Sequence, residues 1–288
     1  MAKLHICPTP IGNLEDLTLR TIRVLREADL IAAEDTRHSL RLLNHLQIRK
    51  PLLSLHEHNE QKKSQELIGL LRQGKDIALL SDAGTPGISD PGGILIRRAI
   101  EEGIPVEALP GAAAFVTALV GCGLKTERFY FYGFLSRIPK QRKKELSSLV
   151  DFPDTLIFYE APHRIAAAIA DMAQVLGDRK AVIARELTKR YEEYIRASLF
   201  ALRDDERLSS LQGEMVVLVE GAQEREEEGG FQEEPAEELL RELRKMLSEG
   251  CSLNDSAKIL AQRFGRKKRE IYEMGLEWKE DQDFDTEG

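Results

Sequence analysis

Cysteine is scarce in this sequence and badly placed for cross-linking: Cys7, Cys122 and Cys251 are an odd number, far apart, with no Cys-x-x-Cys pair. Neither a disulfide framework nor a zinc site is implied, and free buried thiols are expected. No apolar run approaches the roughly 18 residues of a membrane span, and MAKLHICPTPIGN lacks the sustained apolar stretch of a secretory leader. A cytoplasmic protein without membrane attachment is expected. Histidine is also sparse. His56 and His58 flank Glu57, but six histidines in 288 residues give no metal-ligand spacing, so solvent-facing loop residues and no metal site are expected. Finally, positive charge is not in surplus, because 41 Lys and Arg oppose 49 Asp and Glu for a net charge of -8. That argues against a broadly basic nucleic-acid binder and leaves any polyanion contact to local patches.

What is present is a globular composition, 42% hydrophobic and 31% charged, in a chain long enough for about two domains. The amino-terminal half alternates short apolar runs with amphipathic stretches. Strands are expected at Leu4 to Cys7, Leu30 to Ala33, Pro51 to Leu55, Ile77 to Leu80 and Val106 to Leu109. Helices are expected between and after them, near 17–28, 39–46, 61–73, 92–102 and 112–119. This alternation predicts an α/β domain with a largely parallel sheet, in which ligands gather at the carboxyl ends of the strands. The loops at that edge are unusual: Pro8 to Leu14, Glu34 to Arg37, Asp82 to Gly93, and Pro110 to Ala114.

The loop after Leu80 carries the strongest signal, with four Gly, two Pro and two Asp between a buried strand and a helix. Glycines there let a ligand approach the backbone, prolines stiffen the path, and Asp82 and Asp90 supply carboxylates. Ser89 or Asp90 is expected to cap the following helix. No Gly-Lys-Ser/Thr follows, and Gly-x-Gly-x-x-Gly is missing from the loop, so a ligand other than a nucleoside triphosphate or a dinucleotide is expected.

A second α/β unit is expected after Leu124, with strands at 129–134, 155–159, 181–184 and 215–220 and helices near 139–149, 164–176 and 199–208. Its chemistry lies in Tyr159 to Arg164, in Arg185 to Lys189 and in the basic stretch Arg137 to Lys144. Composition then shifts. Residues 223–234 read as an acidic linker, 235–280 as a small helical extension of helix-turn-helix type with Gly265 at its turn, and 281–288 as a disordered tail. The expected division is therefore 1–122, 123–222, linker, extension. Phosphates are expected to meet Arg137, Lys140, Arg142, Lys143 and Lys144, of which 140, 143 and 144 share a helical face. Arg164, Arg185, Lys189 and Arg190 would extend that surface. A second basic cluster, Arg266, Lys267, Lys268 and Arg269, would start the last helix.

Taken in order, the Pro8 to Arg20 stretch, Glu34 to Arg37, Ser81 to Gly92, Pro110 to Ala114, Tyr159 to Arg164 and Gly213 to Val216 resemble the tetrapyrrole-methylase superfamily, the class III S-adenosylmethionine-dependent methyltransferases. Within it they are most similar to the bacterial enzymes that methylate a ribose 2′-oxygen of a cytidine in 16S ribosomal RNA. One departure stands out. Where porphyrin-precursor methylases carry Gly-x-Gly-x-Gly-Asp after the first strand, this chain has Thr-Pro-Ile-Gly-Asn-Leu.

The resemblance implies two α/β domains with a cofactor cleft between them, a small helical carboxyl-terminal extension, S-adenosylmethionine as cofactor, the small ribosomal subunit as partner, and a homodimer. It places Pro10, Asp82, Gly84, Gly87, Ile88, Ser89 and Asp90 on one wall of the cleft, with Gly111, Ala112 and Ala113 nearby. Leu187, Glu214, Met215 and Val216 complete the adenosine side.

On the acceptor side Glu34, Asp35, Arg37 and Glu186 are the candidate catalytic residues, with Glu160 and Lys189 as further candidates to orient or deprotonate a hydroxyl. Asp35 capping a helix, with Arg37 pairing Glu34, is the alternative for that trio. Two other functions stay open: a methylase of a tetrapyrrole precursor or of a protein side chain, and a nucleic-acid-binding module without catalysis.

Overall fold

The computed structural model describes residues 2–223, 236–264, 266 and 268–284. Residues 224–234 of the expected linker, Gly265, Lys267 and 285–288 of the expected tail lie outside the described residues. Two compact units are present, Met1–Gln223 and Glu224–Gly288.

In the first unit, strands β1 (Leu4–Ile6), β2 (Leu30–Ala33), β3 (Leu52–Ser54), β4 (Ile77–Leu80) and β5 (Val106–Ala108) form one parallel sheet in the order β3-β2-β4-β1-β5. Between them run α1 (Leu19–Glu27), α2 (Thr36–His45), α3 (Glu60–Arg72) and α4 (Gly93–Glu101). Period-two alternation sorts β4 onto both faces. Ile77 and Leu79 enter the core shared with Leu67 and Leu95, whereas Ala78 and Leu80 join Val24 and Leu43. A strand buried on both sides reads as a continuous apolar run, which is why Ile77 to Leu80 is so plain in the sequence.

The second sheet is mixed. Strands β6 (Phe129–Phe134), β7 (Thr155–Glu160), β8 (Lys180–Arg185), β9 (Glu193–Ser198) and β10 (Met215–Val219) stand in the order β6-β7-β10-β8-β9, with only β6 and β7 parallel. Met215, Val217 and Val219 face one core with α6 (Pro139–Ser147) and α7 (Ile165–Leu176), while Val216 and Leu218 face another. That other core is closed by α5 (Ala114–Cys122) through Ala118, Leu119 and Cys122. So α5, grouped by sequence with the first domain, lies against the second sheet.

Three local expectations are corrected. Strand β9 has no counterpart in the sequence reading, since Glu193-Tyr194-Ile195-Arg196 does not alternate cleanly and pairs only on one side, with β8. The helix read over 199–208 is only α8 (Leu199–Arg203), because Asp205 accepts from the Arg207 N–H and starts a separate 3-10 turn, Glu206–Ser210. Neither Ser89 nor Asp90 caps α4. Instead buried Glu60 reaches across, and its Oε1 accepts from the N–H groups of Gly92 (2.9 Å) and Ile94 (2.8 Å). Cys7 and Cys122 are buried, but Cys251 is exposed.

The second unit is three helices, α9 (Ala236–Ser248), α10 (Leu253–Phe264) and α11 (Lys268–Phe284), around Leu239, Leu243, Leu260 and Ile271. Ser252 caps α10 by accepting from the Asp255 N–H. Residues 281–284, read as tail, belong to α11. Among the described residues no helix is long and apolar enough to cross a membrane.

Candidate active site

The loops at the carboxyl edge of the first sheet are stitched to one another by short bonds. Thr9 and Gly84 exchange backbone hydrogen bonds of 2.8 and 3.0 Å, and the Thr9 hydroxyl donates to the Ser81 carbonyl at 3.1 Å. The Thr85 hydroxyl donates to the Ala112 carbonyl at 2.9 Å. Asp35 N–H donates to Asp82 Oδ1 (3.0 Å), and Asp82 N–H donates to Glu34 Oε2 (3.3 Å). Each loop is thus held by its neighbour as well as by bonds of its own, such as that from the Ser81 hydroxyl to the Gly84 carbonyl. Gly84 (φ 79°) and Gly87 (φ 82°) occupy left-handed backbone that suits glycine, and Ser89 (φ 61°), Glu186 (φ 52°) and Thr188 (φ 64°) adopt it without that freedom. Strain of this kind concentrates at functional sites.

These loops form one side of a cavity of about 330 Å³. Ile11, Glu34, residues 82–85 and 88–90, Ala113 and Ala114 line it from the first half; Phe134, residues 159–162, Glu186, Leu187 and residues 214–216 line it from the second. Its walls are acidic. Burial, and then the neighbouring charges of Glu34, Asp82 and Glu214, push the Asp90 carboxyl up to about 7, with a hydrogen bond from Ser81 opposing them. Glu34 is also raised, first by burial and then by Asp82 and Asp35, against the Asp82 N–H and His38. The Tyr159 hydroxyl is pushed up to about 12 by burial and by the charges of Asp90 and Glu214, against a hydrogen bond donated by the Phe115 backbone. Four mutually repelling carboxylates over an apolar floor of Ile88, Leu187, Met215 and Val216 suit a ligand that is both apolar and cationic.

Most residues expected on the cofactor wall reach this cavity: Asp82, Gly84, Ile88, Ser89 and Asp90 from one loop, Ala113 from another, and Leu187, Glu214, Met215 and Val216 opposite. Pro10 lines the neighbouring groove instead. Gly87, Gly111 and Ala112 do not line the cavity. Gly111 lies against Pro8, so close that a β-carbon there would come within 2.6 Å of the Pro8 Cβ.

Of the acceptor candidates, Glu34 and Glu186 line the cavity, and Asp35 and Arg37 do not. Asp35 caps α2, accepting from the Arg37 N–H at 2.8 Å, and Arg37 pairs with Asp35 (3.4 Å) rather than with Glu34, its side chain exposed. Glu186 Oε1 accepts from Lys189 Nζ at 3.0 Å. Glu160 is buried, 3.1 Å from Arg164, whose guanidinium also donates to the Leu135 carbonyl. No group of His, Cys, Asp and Glu suited to a metal occurs among the described residues. His56, expected to face solvent, is half-buried beside the Asn59 amide.

The basic stretch divides. Arg137, Lys140 and Lys144 are exposed, and Lys143 is partly buried against Gln174 (2.7 Å) and Asp171 (3.3 Å). Arg142 cannot meet a phosphate. It is 5% exposed, with Nε donating to Asp171 at 2.7 Å and a second guanidinium nitrogen 2.6 Å from the same carboxylate. Residues 142 and 146 share the inward face of α6, a consequence of helical spacing that a count of charges overlooks. Arg185 pairs with Glu193 at 2.7 Å, while Arg190 lies over the Tyr191 ring. In the second unit Arg266 and Arg269 pair with Glu270 and Glu273 one turn on, and Lys268 is exposed.

The family sequence model of the tetrapyrrole (corrin/porphyrin) methylases matches residues 3–203, about two thirds of the chain and both sheets as far as β9. The chain belongs to the tetrapyrrole methylases. A second model, the RsmI C-terminal HTH domain, matches residues 233–279 of this methylase. It is 50% identical over 222 residues to a ribosomal RNA small subunit methyltransferase I of Micromonospora olivasterospora, covering 77% of this chain and 71% of that one. The protein of the same name from Bacillus subtilis is 42% identical over 276 residues, 95% of this chain and 94% of its relative. Among solved structures, uroporphyrin-III C-methyltransferase from Thermus thermophilus in complex with S-adenosyl homocysteine shares the fold, with a TM-score of 0.53 at 18% identity over 76% of this chain and 97% of that one.

Several lining residues of this tetrapyrrole methylase were not named as site residues from the sequence, among them Thr85, inside a stretch that was singled out, and Phe134, outside every such stretch. Thr85 sits inside the loop that drew attention, but only its bond to Ala112 gives it a role there. Phe134 ends β6 and is more than half exposed at 54%, an exposure that the sequence does not show.

Proposed function

We propose that this chain transfers a methyl group from S-adenosylmethionine to the ribose 2′-oxygen of a cytidine in 16S ribosomal RNA. The carboxylate-lined cavity carries the donor half of this reading. S-adenosylmethionine, when bound, supplies a methyl group activated by a sulfonium. Asp82, Asp90, Glu34 and Glu214 offset that positive charge and the donor's amine, and the apolar surface of Ile88, Leu187, Met215 and Val216 takes the adenosine. The names of the relatives support the acceptor half. A ribose hydroxyl is a weak acid, so the chain has to hold it in line and accept its proton. Glu34 is suited to both roles. Its Oε2 is engaged by the Asp82 N–H, its Oε1 is left for the hydroxyl, and its raised pKa makes it a better base than an exposed carboxylate.

Incubation with labelled S-adenosylmethionine and, in parallel, undermethylated small subunits, free 16S RNA and tetrapyrrole precursors tests the reading. Label is expected in the RNA, on a cytidine whose 3′ phosphodiester resists alkali. Label confined to a tetrapyrrole precursor would replace the acceptor.

Arg137, Lys140 and Lys144 are assigned to the RNA backbone, with 235–280 as an auxiliary contact. Replacing the three with Ala should lower the slope of log affinity against log salt by about two to three units, with S-adenosylmethionine binding unchanged. An unchanged slope would remove them from the interface.

The protein is proposed to act in the cytoplasm as a homodimer. Val116 (45%) and Val120 (77%) on α5 and Phe129 and Tyr130 on β6 are exposed apolar side chains suited to a second copy. Sedimentation should give about twice 32.5 kDa at micromolar concentration. A monomer there would overturn it.

A further inference from the structure

Next to the cavity runs a second groove, of about 340 Å³, between the loop after β1 and one face of α2. The two spaces share Ile11, Asp82, Ala83 and Glu214, so occupants of the two would touch. Their charge balance differs. The cavity is lined by carboxylates and by no Lys or Arg, whereas the groove shares only the carboxylates of Asp82 and Glu214 with it and adds His38, Arg41 and His45 of α2 and Lys189 of the loop after β8. Positions 38, 41 and 45 share one helical face. Helix α2 itself contains no Asp or Glu.

Lys189 is held at the junction by Glu186 (3.0 Å) and Glu214 (3.9 Å), so part of its charge is already matched. Arg41 differs. It is exposed, and its guanidinium has neither a hydrogen bond nor an ion pair among the described residues. On the same helix Ser39 is 2% exposed, lines the groove, and has a hydroxyl oxygen with no partner. A buried hydroxyl without a partner is costly, and a ligand oxygen within reach would relieve it. An unshared guanidinium and an unmet hydroxyl describe a receptor for an anion with several oxygens.

We propose that this groove binds a phosphodiester of the acceptor RNA beside the reacting ribose, with Arg41 as its principal cation and His38, His45 and Lys189 around it. The proposal rests on RNA being the acceptor. The segregation of charge gives the two substrates separate places: the cationic donor is drawn to the carboxylates and repelled by α2, and the polyanionic acceptor meets the reverse. The boundary residues Ile11, Asp82, Ala83 and Glu214 then mark where acceptor and donor meet. Arg37, one turn from Arg41 but matched by Asp35, lies outside the groove.

Arg41→Ala, Arg41→Glu and Arg41→Lys separate this site from the function on which it rests. In the full chain, with undermethylated 16S RNA as probe, Arg41→Ala should raise the KM for RNA about tenfold. It should also lower the salt slope by about 0.7 to 0.9, the loss of one phosphate contact. Arg41→Glu should weaken binding further, and Arg41→Lys should restore most of the slope. Calorimetry with S-adenosylmethionine should give all three variants wild-type affinity within about twofold, consistent with a position outside the cavity. Wild-type RNA affinity and slope in Arg41→Glu, from a preparation whose unsubstituted enzyme methylates RNA, would overturn the groove alone. An unsubstituted enzyme that neither binds nor methylates RNA would overturn the acceptor reading and the groove with it.

Discussion

Asp90→Asn should bind S-adenosylmethionine at least tenfold more weakly than wild type and yet, at pH 8, melt at a higher temperature when free of ligand. Both effects have one source. Asp90 ionises near 7 because burial and the charges of Glu34, Asp82 and Glu214 oppose its negative form. Its pKa is higher in the folded protein than in the unfolded chain, so its contribution to stability is full below about 4 and is lost as pH rises through about 7. At pH 8 the folded protein carries a charge that its surroundings disfavour. Removing it should stabilise the ligand-free protein by on the order of 1 kcal/mol, a few degrees, after allowing for partial solvent screening.

A cationic ligand reverses that preference, because it pulls Asp90 toward its ionised form. Wild-type donor affinity should therefore rise between pH 6 and pH 8, with proton release on binding, and Asp90→Asn should lose the part of that dependence due to this residue. Calorimetry in two buffers of different ionisation enthalpy measures the proton directly. A variant that melts no higher than wild type at pH 8, or that keeps wild-type affinity, would falsify the assignment of Asp90 to the donor's positive charge. The expected opposition of stability and binding is general for sites that concentrate like charge ahead of a ligand.

Arg142→Ala should be the most destabilising substitution in the basic stretch, by about 3–5 kcal/mol, because it leaves the buried Asp171 carboxylate without its closest partner. Lys143, at 3.3 Å and more exposed, recovers only part of that interaction. The double variant Arg142→Met, Asp171→Leu should recover most of the loss, since it removes both charges and keeps volume in the core. Urea denaturation with a double-mutant cycle gives the coupling. If Arg142→Ala unfolds within about 1 kcal/mol of wild type and instead loses RNA affinity, its place is at the interface and not in the core. Arg137, Lys140 and Lys144 provide the contrast, because their substitution should move RNA binding with little effect on the melt.

The elements most legible in the sequence were those whose cause is local or periodic. Buried β4 is an unbroken apolar run, β10 is Met-Val-Val-Leu-Val, and α2, α3 and α7 carry their apolar faces at helical spacing. The loops after β1 and β4 stood out because Pro fixes the backbone and Gly frees it wherever they occur, and the loop after β2 because of its adjacent charges. Strand β9 did not, since an edge strand needs only one good face, and its pairing with β8 is decided across a turn that Glu186 and Thr188 make in left-handed backbone. Nor could spacing show that α5, which follows the first sheet in the chain, packs on the second; its apolar surface would have suited either.

The sequence by itself determined which loops line the cavity, that the first half is a parallel α/β unit, and that the methylase motifs run in colinear order. Only tertiary structure decided what each charge does. Glu60 caps α4 from 32 residues away, Arg142 is spent on Asp171 from 29 residues away, and Arg41 is left unmatched beside a cavity whose carboxylates converge from four separate loops. A charge acts through its nearest neighbours in space, at energies that fall with distance and rise as water is excluded. Those neighbours are set by how helices and strands distant in the chain pack, which leaves no local trace in the order of residues.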